Sequence, residues 1–360
     1  MAHAKEFFDM VKVKVVGALG YGGVGIVELL LQHPEAKIAA LVDVEEIGQP
    51  LSAIYPHLTG FCDLPIVAAD DPRAREPADV VFYATPDGVG MKLAPDEIAR
   101  GARVVDYSGD FRFTTPEAYA EYARRIGRQA QHASPQLFGN NAYGLAELHR
   151  GAIRKSKIVG NPGCFAVSCI LGLAPAMQAG LVEPCSVICD CKTGVSGAGK
   201  KPSPAFHFPA RHDQVNAYKL AGHQHVCEVE RELGLLAGRE VRITFTSHVV
   251  PIVRGILSTL YGTLTKGATE ADLLALYKEF YRESPFVRIF PSTAAPGTMQ
   301  VRSTNFCNLT VSVDARTNRL RIVSCIDNLM KGQAGSALQN MNLLCGLPET
   351  MGLLRPGCYP

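Results

Sequence analysis

The chain has 360 residues, 36 of them basic and 34 acidic, and a net charge of +2 gives nucleic acid or an anionic membrane no field to follow. Its hydrophobic content of 47% and charge of 19% are those of a soluble globular protein. The length predicts two domains, and no apolar run is long enough to span a membrane. The first ten residues carry acids where a secretory signal would be apolar, which predicts a cytoplasmic protein. In that compartment its dispersed cysteines are expected as thiols.

Lys12–Val16 alternates as a buried strand and runs into Gly17-Ala-Leu-Gly-Tyr-Gly-Gly23, after which Val24 begins an apolar helical stretch. Strand, glycine turn and helix are the context of a dinucleotide fingerprint, because pyrophosphate rests on the free N–H groups of the helix start. Gly17, Leu19, Gly20, Tyr21, Gly22 and Gly23 are therefore candidate cofactor contacts. The spacing is Gly-x-x-Gly-x-x-Gly rather than the usual Gly-x-Gly-x-x-Gly, so glycine-rich packing without a ligand competes with this reading. Lys37–Val42 is a second strand, ending at Asp43 with Glu45 and Glu46 behind it. An acid there either accepts hydrogen bonds from adenosine ribose hydroxyls or faces water. The apolar stretch Ala78–Pro86 ends on Thr85-Pro86, a candidate cofactor turn, and a helix is expected from Met91 to Arg100. Arg103–Phe113 reads as one strand, leaving Ser108, Asp110 and Arg112 at the carboxyl end, where open α/β sheets bind ligands. Arg112 in that place suits a carboxylate or phosphate.

The strand Ile158-Val159 enters Gly160-Asn161-Pro162-Gly163, and Cys164 begins an apolar helix. Asn-Pro-Gly is turn chemistry. It leaves the sulfur beside the unpaired N–H groups and positive end of a helix. That setting predicts a lowered thiol pKa, a nucleophilic thiolate and an oxyanion site for an acyl group on sulfur. A buried structural cysteine after an ordinary turn is the competing reading. Beyond it, strands follow one another within 186–190, 241–246, 255–261, 308–313 and 319–323, predicting an α+β domain with a mostly antiparallel sheet. The loop Lys192–Pro202 offers amides and the lysines Lys200 and Lys201 to a phosphate. Asn216–Glu230 holds Tyr218, His223, His225 and Glu228. The two histidines share a face in an extended segment and diverge in a helix, so spacing leaves open which one meets the thiol. No metal is expected: the pair lacks a clean third ligand, and Cys185, Cys189 and Cys191 lack knuckle spacing and alternate as a strand. Asp327–Leu344 reads as a helix of many small residues, suited to close packing or cofactor approach.

Taken together, Asn161-Pro-Gly-Cys-Phe165, Lys192-Thr-Gly-Val-Ser-Gly-Ala-Gly199, Gly222-His-Gln-His225 with Glu228, Val250–Gly255 and Lys331–Asn342 resemble the N-acetyl-γ-glutamyl-phosphate reductases. That family is akin to aspartate-semialdehyde dehydrogenase and, further off, glyceraldehyde-3-phosphate dehydrogenase. The likeness runs in order from Lys12 to Gly346. It implies an α/β Rossmann domain over residues 12–160, a catalytic and oligomerisation domain over 161–326, and a helix at 327–346 returning to the first domain. It implies an oxidoreductase of arginine biosynthesis that reduces a small acyl phosphate through a thioester on Cys164, with NADP(H) or NAD(H), in a homo-oligomer of two or four chains. His225 ahead of His223 would handle protons. Arg112, Ser108, Asn161, Tyr218, Glu228 and Lys200 would hold substrate, while Ser196, Gly197 and Asn328 would join the cofactor contacts.

Two departures stand out. The acids Asp43, Glu45 and Glu46 replace the family's usual Ser and Arg, which predicts NAD(H) used at least as well as NADP(H), unless Arg73 or Arg75 reaches the pocket. The stretch His223-Gln-His-Val-Cys-Glu228 replaces His-Arg-His-x-Pro-Glu. The alternatives are a related reductase acting on an aminoadipyl phosphate of lysine biosynthesis, and a nicotinamide-binding regulator without catalysis.

Overall fold

A computed structural model describes residues 10–358; the acidic first segment, 1–9, lies outside the described residues. Seven strands of the first half form one parallel sheet: β1 (Val11–Val16), β2 (Ala36–Val42), β3 (Ile66–Val67), β4 (Val80–Tyr83), β5 (Arg103–Asp106), β6 (Asn141–Tyr143) and β7 (Ile158–Gly160). Their spatial order is β3-β2-β1-β4-β5-β7-β6. The order reverses between β1 and β4, and the crevice beyond the carboxyl ends of strands at such a reversal is where ligands settle. Helix Tyr21–Leu30 packs Val24, Ile26, Val27 and Leu30 onto this sheet.

The second half builds another seven-stranded sheet from β8 (Val187–Thr193), β9 (Asn216–Tyr218), β10 (Ile243–Val249), β11 (Ile256–Thr263), β12 (Val287–Phe290), β13 (Cys307–Asp314) and β14 (Arg319–Ile326). The order is β12-β13-β14-β11-β8-β10-β9. Only the β12–β13 and β10–β8 pairings are parallel. Helix Cys164–Gln178 lies on this sheet, buried from Phe165 to Met177. A helix apolar on every side belongs in a core, and here it carries the nucleophile candidate on its first turn. Close approach fixes its depth, since a Cβ on Gly172 would fall 2.4 Å from Leu260 Cδ1.

Two expectations change. The strand read through Phe113 stops at Asp106, because the Asp106 carboxylate accepts from the N–H and hydroxyl of Ser108 and turns the chain. Ser108, Asp110 and Arg112 therefore sit on a loop. The C-terminal run begins as a π turn, Met330–Ala334, and only then becomes the α-helix Gly335–Leu344. That helix returns to the first sheet, with Leu338 and Met341 in its core. Beside it the buried Lys331 Nζ reaches Glu147 Oε1 at 2.7 Å and Gln339 Oε1 at 2.8 Å. No helix among the described residues is long and apolar enough to cross a membrane.

Candidate functional site

Gly17 ends β1 with φ +82°, a left-handed turn that favours glycine. A Cβ on Gly23 would fall 2.1 Å from Gly17 O, so the helix can start this close to the strand only without one. Gly20 caps the helix without a side-chain bond, which leaves its first N–H groups directed outward. Asp43 closes the turn from the side: its carboxylate accepts from Leu19 N at 2.9 Å and Val44 N at 2.8 Å. Thr85 follows β4, with its Cγ2 3.2 Å from a Cβ built on Gly17 and its buried Oγ1 unpartnered among the described residues. These groups fit a dinucleotide: the N–H groups of a helix start without a side-chain cap, an acid at the end of β2 and a hydroxyl across the switch point.

From the turn a cleft of about 820 Å³ extends between the helix Tyr21–Leu30 and the loops after β8 and β14, lined by Tyr21, Val24, Ser196, Lys200, Arg254 and Met330 among others. Lys200, expected at the substrate phosphate, lies instead 5.0 Å over the ring of Tyr55. The hydroxyl of Tyr55 donates to Leu19 O at 2.7 Å, so Lys200 stands beside the dinucleotide turn. Burial, with Tyr21, Glu28 and Asp43 nearby, raises the Tyr55 phenol to about 12. Arg73 forms a two-point pair with Asp71, and Arg75 lines a different hollow, beside Lys14 and Glu97. Asn328 is buried, accepting from Gly255 N at 2.7 Å and donating to Ser196 Oγ at 3.0 Å, with Gly197 alongside.

Cys164 is the first residue of its helix, capped by Gly163. His225 begins the helix Val226–Ala237 and presses its ring edge on Gly163: a Cβ there would meet Nε2 at 2.3 Å. His223 lies 4.7 Å from His225 between ring centroids and is flanked by Phe165, Phe245 and Tyr218. The histidines thus take different places, and His225 is the one beside the nucleophile turn. Burial lowers both, His223 to about 3 and His225 well below its usual value, the latter aided by His223 and Arg112. Both imidazoles are neutral, and His225 Nδ1 is buried without a partner among the described residues.

The expected thiolate is corrected here. Burial pushes the Cys164 thiol up to about 11, against the downward pull of the Phe165 N–H and Arg112. The amides at the helix start act as foreseen, but desolvation of the charged form outweighs them.

Arg112, Asn161 and Glu228, expected to touch substrate, are engaged within the protein. Arg112 donates from Nε to Asn161 O at 2.8 Å, from Nη2 to Tyr107 O at 2.6 Å and from Nη1 to Glu228 Oε1 at 2.9 Å. Glu228 Oε2 accepts from Tyr143 OH at 2.9 Å and Gly163 N at 3.0 Å. Asn161 donates to Gln333 O at 3.0 Å and accepts from Asn340 at 3.1 Å. Together they hold the Gly160–Gly163 turn rigid. Ser108 serves Asp106, whose carboxyl is raised to about 8 by burial and by neighbouring Asp110. Tyr218 alone of the expected substrate contacts remains beside the thiol without such a network, its phenol raised by burial and then by Cys164.

Sequence reading passed over Gly332 and Gln333. A Cβ on Gly332 would fall 2.7 Å from Cys164 Cβ, and one on Gly22 would fall 2.8 Å from Gln333 Nε2. The π turn thus lies against the Cβ of Cys164 and against the dinucleotide turn with adjacent residues. Its signal was the run of small residues after Asn328, without the means to say which residue touched what.

Two family descriptions match the chain: the semialdehyde dehydrogenase NAD binding domain over residues 12–156 and the semialdehyde dehydrogenase dimerisation domain over 164–328. The N-acetyl-gamma-glutamyl-phosphate reductase of Symbiobacterium thermophilum is 46% identical over 352 residues, spanning 97% of this chain and 99% of its own. That of Moorella thermoacetica is 41% identical over 351 residues, spanning 98% and 100%. Solved structures share the fold at low identity. Aspartate semialdehyde dehydrogenase II from Vibrio cholerae has a TM-score of 0.70 at 15% identity, over 94% of this chain and 99% of its own. Aspartate semialdehyde dehydrogenase with NADP from Candida albicans has a TM-score of 0.64 at 15%, over 93% and 98%.

Proposed function

The chain belongs to the N-acetyl-gamma-glutamyl-phosphate reductase family, and from that premise we propose that it reduces N-acetyl-γ-glutamyl phosphate to the semialdehyde, releasing phosphate, with Cys164 as nucleophile and His225 as its base. The observation that carries the reading is one convergence. Gly332 packs on Cys164, Gln333 on Gly22 and His225 on Gly163, and these three approaches support a thiol and base set beside the dinucleotide turn.

The neutral His225 takes the proton from Cys164 as sulfur attacks the acyl carbon. The C–S bond forms, the bond to the phosphate oxygen breaks, and phosphate leaves with the electron pair. N–H groups at the start of helix Cys164–Gln178 stabilise the oxyanion. A bound nicotinamide supplies the hydride that reduces the resulting thioester. As the thiohemiacetal oxyanion collapses, the semialdehyde C=O forms, the C–S bond breaks, and His225 returns its proton to the departing Cys164 sulfur, restoring two neutral groups. Proton handling of this kind contributes about 10²–10⁴ in rate. In this reading residues 12–160 bind the cofactor, 161–326 carry the thiol and histidines, and 327–346 join the two. The match to a dimerisation domain supports a homo-oligomer.

For the cofactor, Asp43 is pinned against the turn with its carboxylate at the end of β2. A 2′-phosphate beside it would meet like charge, costing a few kcal/mol at about 4 Å and an effective dielectric near 20. Lys200 is the nearby cation that opposes this. The reading is NAD(H) used at least as well as NADP(H).

One experiment tests the reading: semialdehydes plus phosphate, each with NAD⁺ and NADP⁺, using the wild type and Cys164→Ser. Turnover of N-acetylglutamate semialdehyde that vanishes in Cys164→Ser is expected. Turnover only of an aminoadipate semialdehyde would move the substrate, wild-type rates in the variant would remove the nucleophile, and a strong NADP⁺ preference would turn Asp43 away from the ribose.

A further inference from the structure

His223, the neighbour of the base, binds the backbone that carries it. Its ring Nδ1 accepts the N–H of His225 at 3.2 Å, and its carbonyl oxygen accepts the N–H of Val226 at 3.1 Å. The two bonds clasp the start of helix Val226–Ala237, where His225 is the cap residue and its own side chain caps nothing. The His223 ring packs on Phe165, the residue after the nucleophile, with centroids 5.4 Å apart, and on Phe245 at 5.0 Å.

A neutral imidazole accepts at one ring nitrogen and donates from the other. Burial keeps His223 neutral, and its accepting nitrogen is taken by the His225 N–H, so the proton sits on Nε2. No lone pair is left to receive a proton from Cys164. A protonated ring, in turn, would lose the clasp, because both nitrogens would then donate. Two other histidines make the same bond: His33 Nδ1 accepts from Glu35 N at 3.2 Å and His132 Nδ1 from Ser134 N at 3.0 Å. In each the other nitrogen faces an oxygen at 3.0 Å, Asn342 Oδ1 and Asp110 O. The bond is a way this chain fixes its backbone, and at His223 the backbone fixed is that of the base. On the basis of the reductase reading, we propose that His223 is a positioning residue, which holds the His225 backbone so that the His225 ring keeps its place on Gly163, and which exchanges no proton with thiol or substrate.

Turnover of N-acetylglutamate semialdehyde with phosphate and NAD⁺ or NADP⁺, measured as kcat and KM in the full chain, tests this with His223→Asn and His223→Gln. Asn places Oδ1 where His223 has Nδ1 and accepts the N–H two residues on; Gln fills more of the ring's length and puts its amide where Nε2 was. His223→Gln should lower kcat about thirtyfold with KM within about twofold, since a misplacement of about 1 Å costs up to about 10² in rate. His223→Asn should keep kcat within about threefold of wild type. Gln faster than Asn would assign the residue to packing or to its Nε2 and overturn the proposal. A loss of about a hundredfold or more in both would make His223 a proton carrier, and no loss in either would remove it from the site; both results overturn the proposal. If His223→Gln does not fold, His223→Asn decides alone by the same limits. Absence of turnover of any semialdehyde by the wild type would overturn the reductase reading and this inference together; failure confined to the variants overturns the inference alone.

Discussion

Glu228→Ala probes the construction of the nucleophile turn. The Glu228 side chain is inaccessible and holds three donors: Arg112 Nη1 at 2.9 Å, Tyr143 OH at 2.9 Å and Gly163 N at 3.0 Å. Burial raises its carboxyl while Arg112, Gly163 and Tyr143 pull it down. Truncation leaves the buried Arg112 guanidinium without its counter-ion, a change that costs about 3–5 kcal/mol in comparable pairs. The freed Gly163 N–H and Tyr143 hydroxyl act in the same direction, though contributions from one network do not add. The expected loss is therefore about 3–5 kcal/mol. The chain has no tryptophan, so urea unfolding should be followed by circular dichroism, with the shift in midpoint converted through the slope. Glu228→Gln, which keeps an acceptor but not the charge, should fall between. Arg112→Met combined with Glu228→Leu should recover only part, since Arg112 also serves Asn161 O and Tyr107 O. A loss below about 1 kcal/mol in Glu228→Ala would show that the network does not hold the turn, and the argument from these distances would fail.

Alkylation of Cys164 by iodoacetamide in the free protein should accelerate about tenfold per pH unit from pH 7 to pH 9, because the thiol titrates near 11; a plateau below pH 8 would show a thiolate at rest. Asp106 titrates near 8 when folded against 3.8 for the free side chain, raised first by burial and then by Asp110. The folded state therefore binds the extra proton, and the stability it contributes is complete at acid pH and lost as pH rises from about 4 to about 8. Asp106→Asn should unfold with a flatter pH dependence over that window, and identical slopes for the two proteins would reject the shift.

The first sheet was legible because its signals are local. Lys12–Val16 alternates, Gly17 and Gly23 mark the turn, and the helix after it is apolar on one run, all within about twenty residues of sequence. The same local reading carried β5 too far: Val104-Val105 invites a longer strand, and only the bond between Ser108 and Asp106 ends it. Short edge strands such as β9 and β12 offered too few residues for a period to show. In the site, Cys164 and the two histidines were singled out by residue type, and the structure sets the His225 ring against the Gly163 that caps the Cys164 helix. Its supports were not. Arg112 and Glu228 lie 116 residues apart and Lys331 and Glu147 lie 184 apart, so no spacing rule could pair them. Lys200 was drawn to a phosphate by its charge, and the partner it found was the face of Tyr55.

The helix-start argument for a thiolate failed for a reason that bears on the chemistry. It weighed the N–H groups near Cys164 and omitted the packing around a side chain that is only partly exposed, where desolvation disfavours a charged sulfur. The same desolvation lowers His225, so thiol and imidazole rest as two neutral groups rather than as an ion pair. At pH 8, three units below a pKa of about 11, about one Cys164 in a thousand is ionised. Proton transfer to His225 is then uphill in the empty site, and a general base acting during attack serves better than a standing thiolate. An acyl phosphate changes the balance in one direction: its negative charge stabilises the imidazolium as it forms and leaves with the phosphate. In the proposed mechanism the thiol is protonated at rest and yields its proton to His225 as attack begins.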